Sequence, residues 1–230
     1  MNAQYKNSTK GFEFMYKTVF FDLDGTLTDP KEGITKCVSY ALGFFGIHEN
    51  NLDNLTGYIG PPLIDGFSEI AGLSEKDAIK AVERYRERYG KTGIFENRLY
   101  DGTTNMLENL RKNGVRMCIA SSKPEVFVKR ISEKYKISEY FEHQTGSELD
   151  GRRNDKAEVI AETLKRCGIT DLSEVIMVGD RRHDIEGAKK CGIKSAGVTF
   201  GYGSEEELRS SGADHIANSF DELEKIILEK

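Results

Sequence analysis

Apolar and polar residues alternate along this chain in two rhythms. Val19–Phe21 is a short unbroken apolar run that stops at two acids, Asp22 and Asp24. Runs of that length without polar interruption suit a strand buried on both faces. "ITKCVSYALGFFGI" then carries apolar residues at helical spacing behind Pro30, which predicts a helix over 31–46. "SEKDAIKAVERYRERYG" opens on Ser74 as an N-cap with Asp77 in the first turn and closes near Gly90, a second long helix. Between them Pro61 and Pro62 break the pattern before a short helix near 62–71, so residues 30–98 read as all-helical. From Asp101 onward the rhythm becomes helix then strand. "VRMCIASS", "EVIMVGD" and "KSAGVTF" read as strands, and the stretches at 101–114, 124–135, 156–168 and 184–192 read as helices. Such alternation predicts an α/β fold, a parallel sheet covered by helices. The helical block interrupts it after its first strand, giving an expected division into 16–29 plus 99–230 and an inserted helical domain at 30–98. Residues 1–15 lack clean periodicity and read as an N-terminal tail.

Composition narrows the partners. At 230 residues and 38% hydrophobic side chains the chain can bury one full core and a smaller second one. A net charge of −5 implies no basic face for nucleic acid. No apolar run approaches the ~20 residues of a membrane span. The polar start "MNAQYKNSTKGFEF" is unlike a secretion signal, so a cytoplasmic location is expected. Cys37, Cys118, Cys167 and Cys191 form no CxxC pair and read as reduced, structural thiols.

In a parallel α/β sheet, ligands bind beyond the carboxyl ends of the strands. Asp22 and Asp24 end the first strand, two residues apart and so on one side of an extended chain. Two carboxylates in one small site repel unless a cation lies between them. Ser121, Ser122 and Lys123 follow the second strand, and "GDRRHD" places Asp180 and Asp184 after a later one. Four aspartates converging on one edge would suit a hard cation such as Mg²⁺.

"DLDGTLTD", "IASSK", the lysine of "NDKAEVI" and "MVGDRRHD", in this order, resemble the four motifs of the haloacid dehalogenase superfamily, over about residues 16–200. "GYGSEEEL" is similar to the ending of phosphoglycolate phosphatase-like members. The resemblance implies a Rossmann-like sheet of order 5-4-1-2-3 with a helical C1 cap, and a Mg²⁺-dependent phosphatase acting on small phosphorylated metabolites. These would be phosphoglycolate or nucleotide monophosphates, as in 5′-nucleotidases of this fold. It makes Asp22 the nucleophile, Asp24 the acid and base, and Lys156 the neutralising cation. Mg²⁺ would lie on Asp22, the Asp24 carbonyl and Asp180, with Asp184 behind them or as an occasional ligand. Ser121, or Ser122 in its place, would bind the phosphoryl group, and Gly25 would let backbone amides approach it. Asp24 argues against carbon–halogen chemistry, because true dehalogenases lack it.

Blander readings compete at several of these positions. Asp-Gly is a common turn signal, lysine is usually solvated, and Lys165, Arg152 and Arg153 are rivals for the role of Lys156. His183 reads as a solvated loop residue. Arg84, Arg86, Arg88 and Lys91 read as a charged helix face paired at i,i+4 with Glu83 and Glu87, with an anionic substrate tail as the minority role. Ile59, Gly60, Pro61 and Pro62 are candidates for substrate selection, against a proline-stiffened connection, and Thr28 and Lys31 lie on the hinge side. A phosphomutase of the β-phosphoglucomutase type would use the same two acids, and a phospho-accepting receiver is a third reading. A monomer or small homo-oligomer is expected.

Overall fold

The computed structural model describes residues 16–229; the tail expected over 1–15 lies outside the described residues. In chain order the elements are β1 (Thr18–Phe21), β2 (Thr28–Asp29), α1 (Lys31–Gly43), α2 (Leu63–Glu69), α3 (Glu75–Tyr89), β3 (Arg98–Leu99), α4 (Thr103–Lys112) and β4 (Arg116–Pro124). They continue as α5 (Glu125–Lys134), β5 (His143–Ser147), α6 (Lys156–Arg166), β6 (Val175–Gly179), α7 (Arg182–Lys190), β7 (Lys194–Val198), α8 (Glu205–Ser210), β8 (His215–Ala217) and α9 (Phe220–Leu228).

Six strands form one parallel sheet in the order β5-β4-β1-β6-β7-β8. This is the expected 5-4-1-2-3 arrangement with one further strand, β8, beyond its outer edge. β1 lies at the centre, and its residues alternate between two cores. Val19 and Phe21 face a large cluster that reaches α4 and the inserted helices, whereas Phe20 packs with Cys118, Val159, Ile160 and Met177 under α6 and α7. Burial on both faces explains the unbroken apolar run.

The inserted helices follow their sequence signals with trimmed ends. Ser74 caps α3, its Oγ accepting from the Asp77 amide at 3.2 Å. α1 ends at Gly43 rather than 46, and α2 spans 63–69. The segment is not wholly helical, since Arg98 in β3 pairs with Asp29 in β2 as a two-residue antiparallel ribbon at the base of the insertion. The expected i,i+4 pairing on α3 is also replaced. Arg84 bonds Glu87 at i,i+3, while Arg88 leaves the helix to fork onto Glu96 at 2.7 and 3.0 Å.

Candidate active site

The C-terminal ends of β1, β4 and β6 and the N-terminus of α6 meet at one point. β1 continues one residue past its last pair, the Asp22 amide donating to the Val178 carbonyl at 2.8 Å, which fixes where the Asp22 side chain emerges. Asp155 caps α6, its carboxylate accepting from the Ala157 amide, and so sets Lys156 as the first helical residue. Lys156 runs back under the sheet edge. Its Nζ lies 3.0 Å from Asp22 Oδ1 and 2.7 Å from Asp184 Oδ1, and it donates to the Ala120 carbonyl at 3.2 Å. Burial works against this ammonium, yet Asp184 and Asp22 outweigh it and hold its pKa above the ordinary lysine value. The rivals lie elsewhere. Lys165 is exposed beside Glu162, Arg152 is exposed beside Asp150, and Arg153 pairs with Glu148.

Asp180 and Asp184 sit at the end of β6 and in the first turn of α7. Asp184 Oδ2 accepts from the Arg181 amide at 3.1 Å, and Asp180 Oδ2 accepts from the Tyr202 amide at 2.7 Å, with Thr26 Oγ donating to Asp180 Oδ1 at 3.4 Å. One oxygen from each of Asp22, Asp180 and Asp184 lies within 4.8 Å of the others, and all three residues are buried. Burial, reinforced by Asp184, drives Asp180 well above the carboxylate range, and burial pushes Asp184 up to about 6.

The convergence of four carboxylates is therefore three plus one. Asp24 stands apart from the trio, its Oδ2 in an ion pair with Lys123 and its Oδ1 buried without a hydrogen-bond partner. Burial raises its pKa, with Lys123 opposing. Within the trio three buried carboxylates face one buried ammonium, Lys156, an excess of negative charge that a divalent cation would cancel. An all-oxygen trio with this excess fits Mg²⁺.

Gly25 turns the chain away from Asp24 with φ +83°, and a Cβ there would lie 2.2 Å from Asp180 Oδ2. Only glycine allows that turn and that approach together. Ser121 is buried at the end of β4, and it and Ser122 both line a cavity of about 310 Å³ that opens onto Asp22 and Asp24. Gly60, Pro61 and Pro62 also line this cavity, whereas the Ile59 side chain is buried away from it and contributes its carbonyl, which accepts from Arg181 Nη1 at 2.5 Å. Thr28 is buried and bonds the Leu23 carbonyl, and Lys31 pairs with Asp53; neither lines the cavity. His183 is half-buried in α7 rather than solvated in a loop, and burial lowers its pKa.

Residues 19–198 match the family model described as haloacid dehalogenase-like hydrolase. The chain belongs to the haloacid dehalogenase-like hydrolases. A 5′-nucleotidase of Pseudomonas aeruginosa is 42% identical over 212 residues, covering 92% of this chain and 96% of that protein. The tyrosine-protein kinase PtkA of Mycobacterium tuberculosis is 36% identical, covering 91% of this chain and 72% of that protein. Among solved structures, that of a predicted phosphatase from Clostridium acetobutylicum superposes with a TM-score of 0.91 at 44% identity, covering 94% of this chain and all of that one. The chain is an enzyme, a phosphatase of the haloacid dehalogenase-like family.

Several features of this family member carry no motif in the sequence. Tyr85 and Tyr89 of α3 stack with ring centroids 5.1 Å apart and planes 15° apart, and together with Tyr58 and Phe127 they give the cavity an aromatic wall. Arg86 donates to the Leu149 carbonyl at 2.8 Å, and Arg130 to the Gly90 carbonyl at 3.1 Å, fastening α3 to α5 and to the loop after β5. The i,i+4 spacing of the two tyrosines was the available signal, masked by the arginines and glutamates around them. Among the described residues no helix is long and apolar enough to cross a membrane.

Proposed function

We propose that the protein is a Mg²⁺-dependent phosphatase that cleaves small phosphomonoesters through an aspartyl-phosphate on Asp22. The observation that carries this reading is the buried trio Asp22, Asp180 and Asp184, in which Lys156 bridges Asp22 and Asp184 and Asp22 itself lines, with Asp24 and Ser121, the cavity. Asp22, Asp180 and Asp184, with the Asp24 carbonyl, would hold the metal, which supplies the positive charge that lets a carboxylate approach a phosphate dianion.

In the first step an oxygen of Asp22 forms a bond to phosphorus as the bond to the leaving oxygen breaks, and Asp24 gives its proton to that oxygen. In the second, Asp24 takes a proton from water as the water oxygen bonds phosphorus and the Asp22–phosphorus bond breaks. Inorganic phosphate leaves and both acids return to their starting state. Lys156 holds Asp22 in place and balances the charge that builds on the phosphoryl oxygens, while Ser121 and backbone amides around Gly25 bind those oxygens. The inserted helices act as a cap that excludes water and selects the leaving group.

The walls favour a nucleoside over glycolate as that group. The volume and the aromatic lining by Tyr58, Tyr85, Tyr89 and Phe127 match a flat apolar ring. Lys123 and Arg86, the cations that line the cavity, are already held by Asp24 and the Leu149 carbonyl. The test is phosphate release with Mg²⁺ from nucleoside 5′-monophosphates, phosphoglycolate and sugar phosphates, with Asp22→Asn alongside. Loss of turnover and of covalent ³²P labelling in Asp22→Asn is expected. Wild-type turnover in that variant would refute the mechanism, and isomerised sugar phosphate without phosphate release would favour the mutase.

A further inference from the structure

The segment that closes β4 holds a lysine for which the chemistry above has no use. Lys123 follows Ser121 and Ser122, and its side chain is only 7% exposed. A buried ammonium is costly unless paired. Its pair is Asp24 Oδ2, and its other face is covered by the ring of Tyr89, whose centroid lies 5.0 Å from Nζ. An ammonium over a tyrosine face is attracted by the ring's quadrupole, more so where water is excluded. Tyr89 belongs to α3 in the insertion, whereas Lys123 and Asp24 belong to the sheet domain, so the three form one stack across the boundary between them.

The consequence falls on Asp24. One of its oxygens is tethered, and the other, Oδ1, is buried with no hydrogen-bond partner, in a residue that lines the cavity. A carboxyl group free to rotate would present either oxygen, or neither, to a bound ester. Tethering one oxygen selects the other.

We infer that Lys123 is a positioning residue for Asp24: it fixes the carboxyl so that Oδ1 meets the leaving oxygen, and Tyr89 holds the ammonium in place from the insertion side. The inference rests on the reading of Asp24 as the acid of the first step.

Leaving groups separate this role from a merely structural one. A nitrophenolate departs without help, whereas an alkoxide needs a proton. The quantity to measure is kcat/KM, which reports the step in which the leaving group departs, for 4-nitrophenyl phosphate and for the alkyl phosphate that the wild type turns over best.

Lys123→Met is expected to lower kcat/KM about 100-fold on the alkyl ester and less than about threefold on the nitrophenyl ester, the size of one general-acid contribution. Asp24→Asn is expected to show the same split more strongly, and Tyr89→Leu a weaker one. Tyr89→Phe keeps the ring and is expected to remove the split that Tyr89→Leu creates. If Lys123→Met lowers both substrates equally, or neither, while Asp24→Asn shows the split, the positioning role is overturned and the acid role of Asp24 stands. If Asp24→Asn itself shows no split, the reading of Asp24 falls and this inference with it.

Discussion

Replacing Lys156 by methionine tests the electrostatics of the site most directly. The side chain is 4% exposed, and its ammonium touches Asp22 Oδ1 at 3.0 Å and Asp184 Oδ1 at 2.7 Å, both carboxylates being buried. Methionine fills nearly the same volume, so the cavity cost is small and the loss is that of the charge. Removing one member of a buried ionic cluster leaves the others uncompensated, a penalty of about 3–5 kcal/mol. In a chain of this size that corresponds to a fall in Tm of about 6–20 °C.

The assay is thermal unfolding in the presence of a chelator, so that only protein charges count. The sign of a second substitution then separates charge from packing. Asp184→Asn made in the wild type removes a partner of Lys156 and destabilises. Made on top of Lys156→Met it removes an unpaired buried charge, and the double variant is expected to be about 1–3 kcal/mol more stable than Lys156→Met alone. Turnover of Lys156→Met with Mg²⁺ is expected to fall by about 10²–10³. A wild-type Tm in Lys156→Met, or a loss in the double variant equal to the sum of the single losses, would refute the argument.

Other substitutions probe the surroundings. Gly25→Ala forces a Cβ to 2.2 Å from Asp180 Oδ2 at φ +83°. It is expected to cost about 1–3 kcal/mol and to shrink the rise in Tm that Mg²⁺ produces, which calorimetry with and without the ion checks. Glu96 is held below the ordinary glutamate range, first by its hydrogen bonds from Arg88. Because the folded pKa is the lower one, its contribution is complete above the unfolded value and is lost as pH falls through the folded one. Glu96→Gln is therefore expected to be about 1–2 kcal/mol less stable than wild type at neutral pH, with the gap closing in acid; a gap independent of pH in denaturant titrations contradicts the pairing. Arg181 bonds the Ile59 carbonyl at 2.5 Å and Glu207 at 3.0 Å, joining the insertion to the loop after β6. Arg181→Met is expected to raise KM about tenfold, the worth of one charge-assisted bond, with kcat little changed in steady-state kinetics.

How far the sequence discloses such a molecule depends on what surrounds each residue. β1, β4, β6 and β7 were legible because inner strands of a parallel sheet are buried on both faces and must be apolar throughout. β5 and β8 were not, since they are the two edges of the sheet and read "HQTGS" and "HIA", too short or too polar for a period to show. The same distinction runs through the site. Asp22, Asp180, Asp184 and Lys156 sit at strand ends or a helix start; the strand-end signals bring the three aspartates together in the sequence, and the family resemblance adds Lys156. Asp24 was expected beside them because alternation puts it on the side of Asp22, but the chain turns at Gly25 and the carboxyl finds Lys123 instead. That lysine stands where the pairing of β4 with β5 shifts register between Ala120 and Pro124, so no period in the sequence says where its side chain goes. Tyr85 and Tyr89 were hidden for a further reason: their neighbours on α3 are charged, and the helix reads as a solvated face until its other side is seen against the sheet. The charges that perform the chemistry are thus specified by short segments, each legible alone. The walls that choose the substrate are specified by contacts between segments far apart in the chain, which only the folded structure displays.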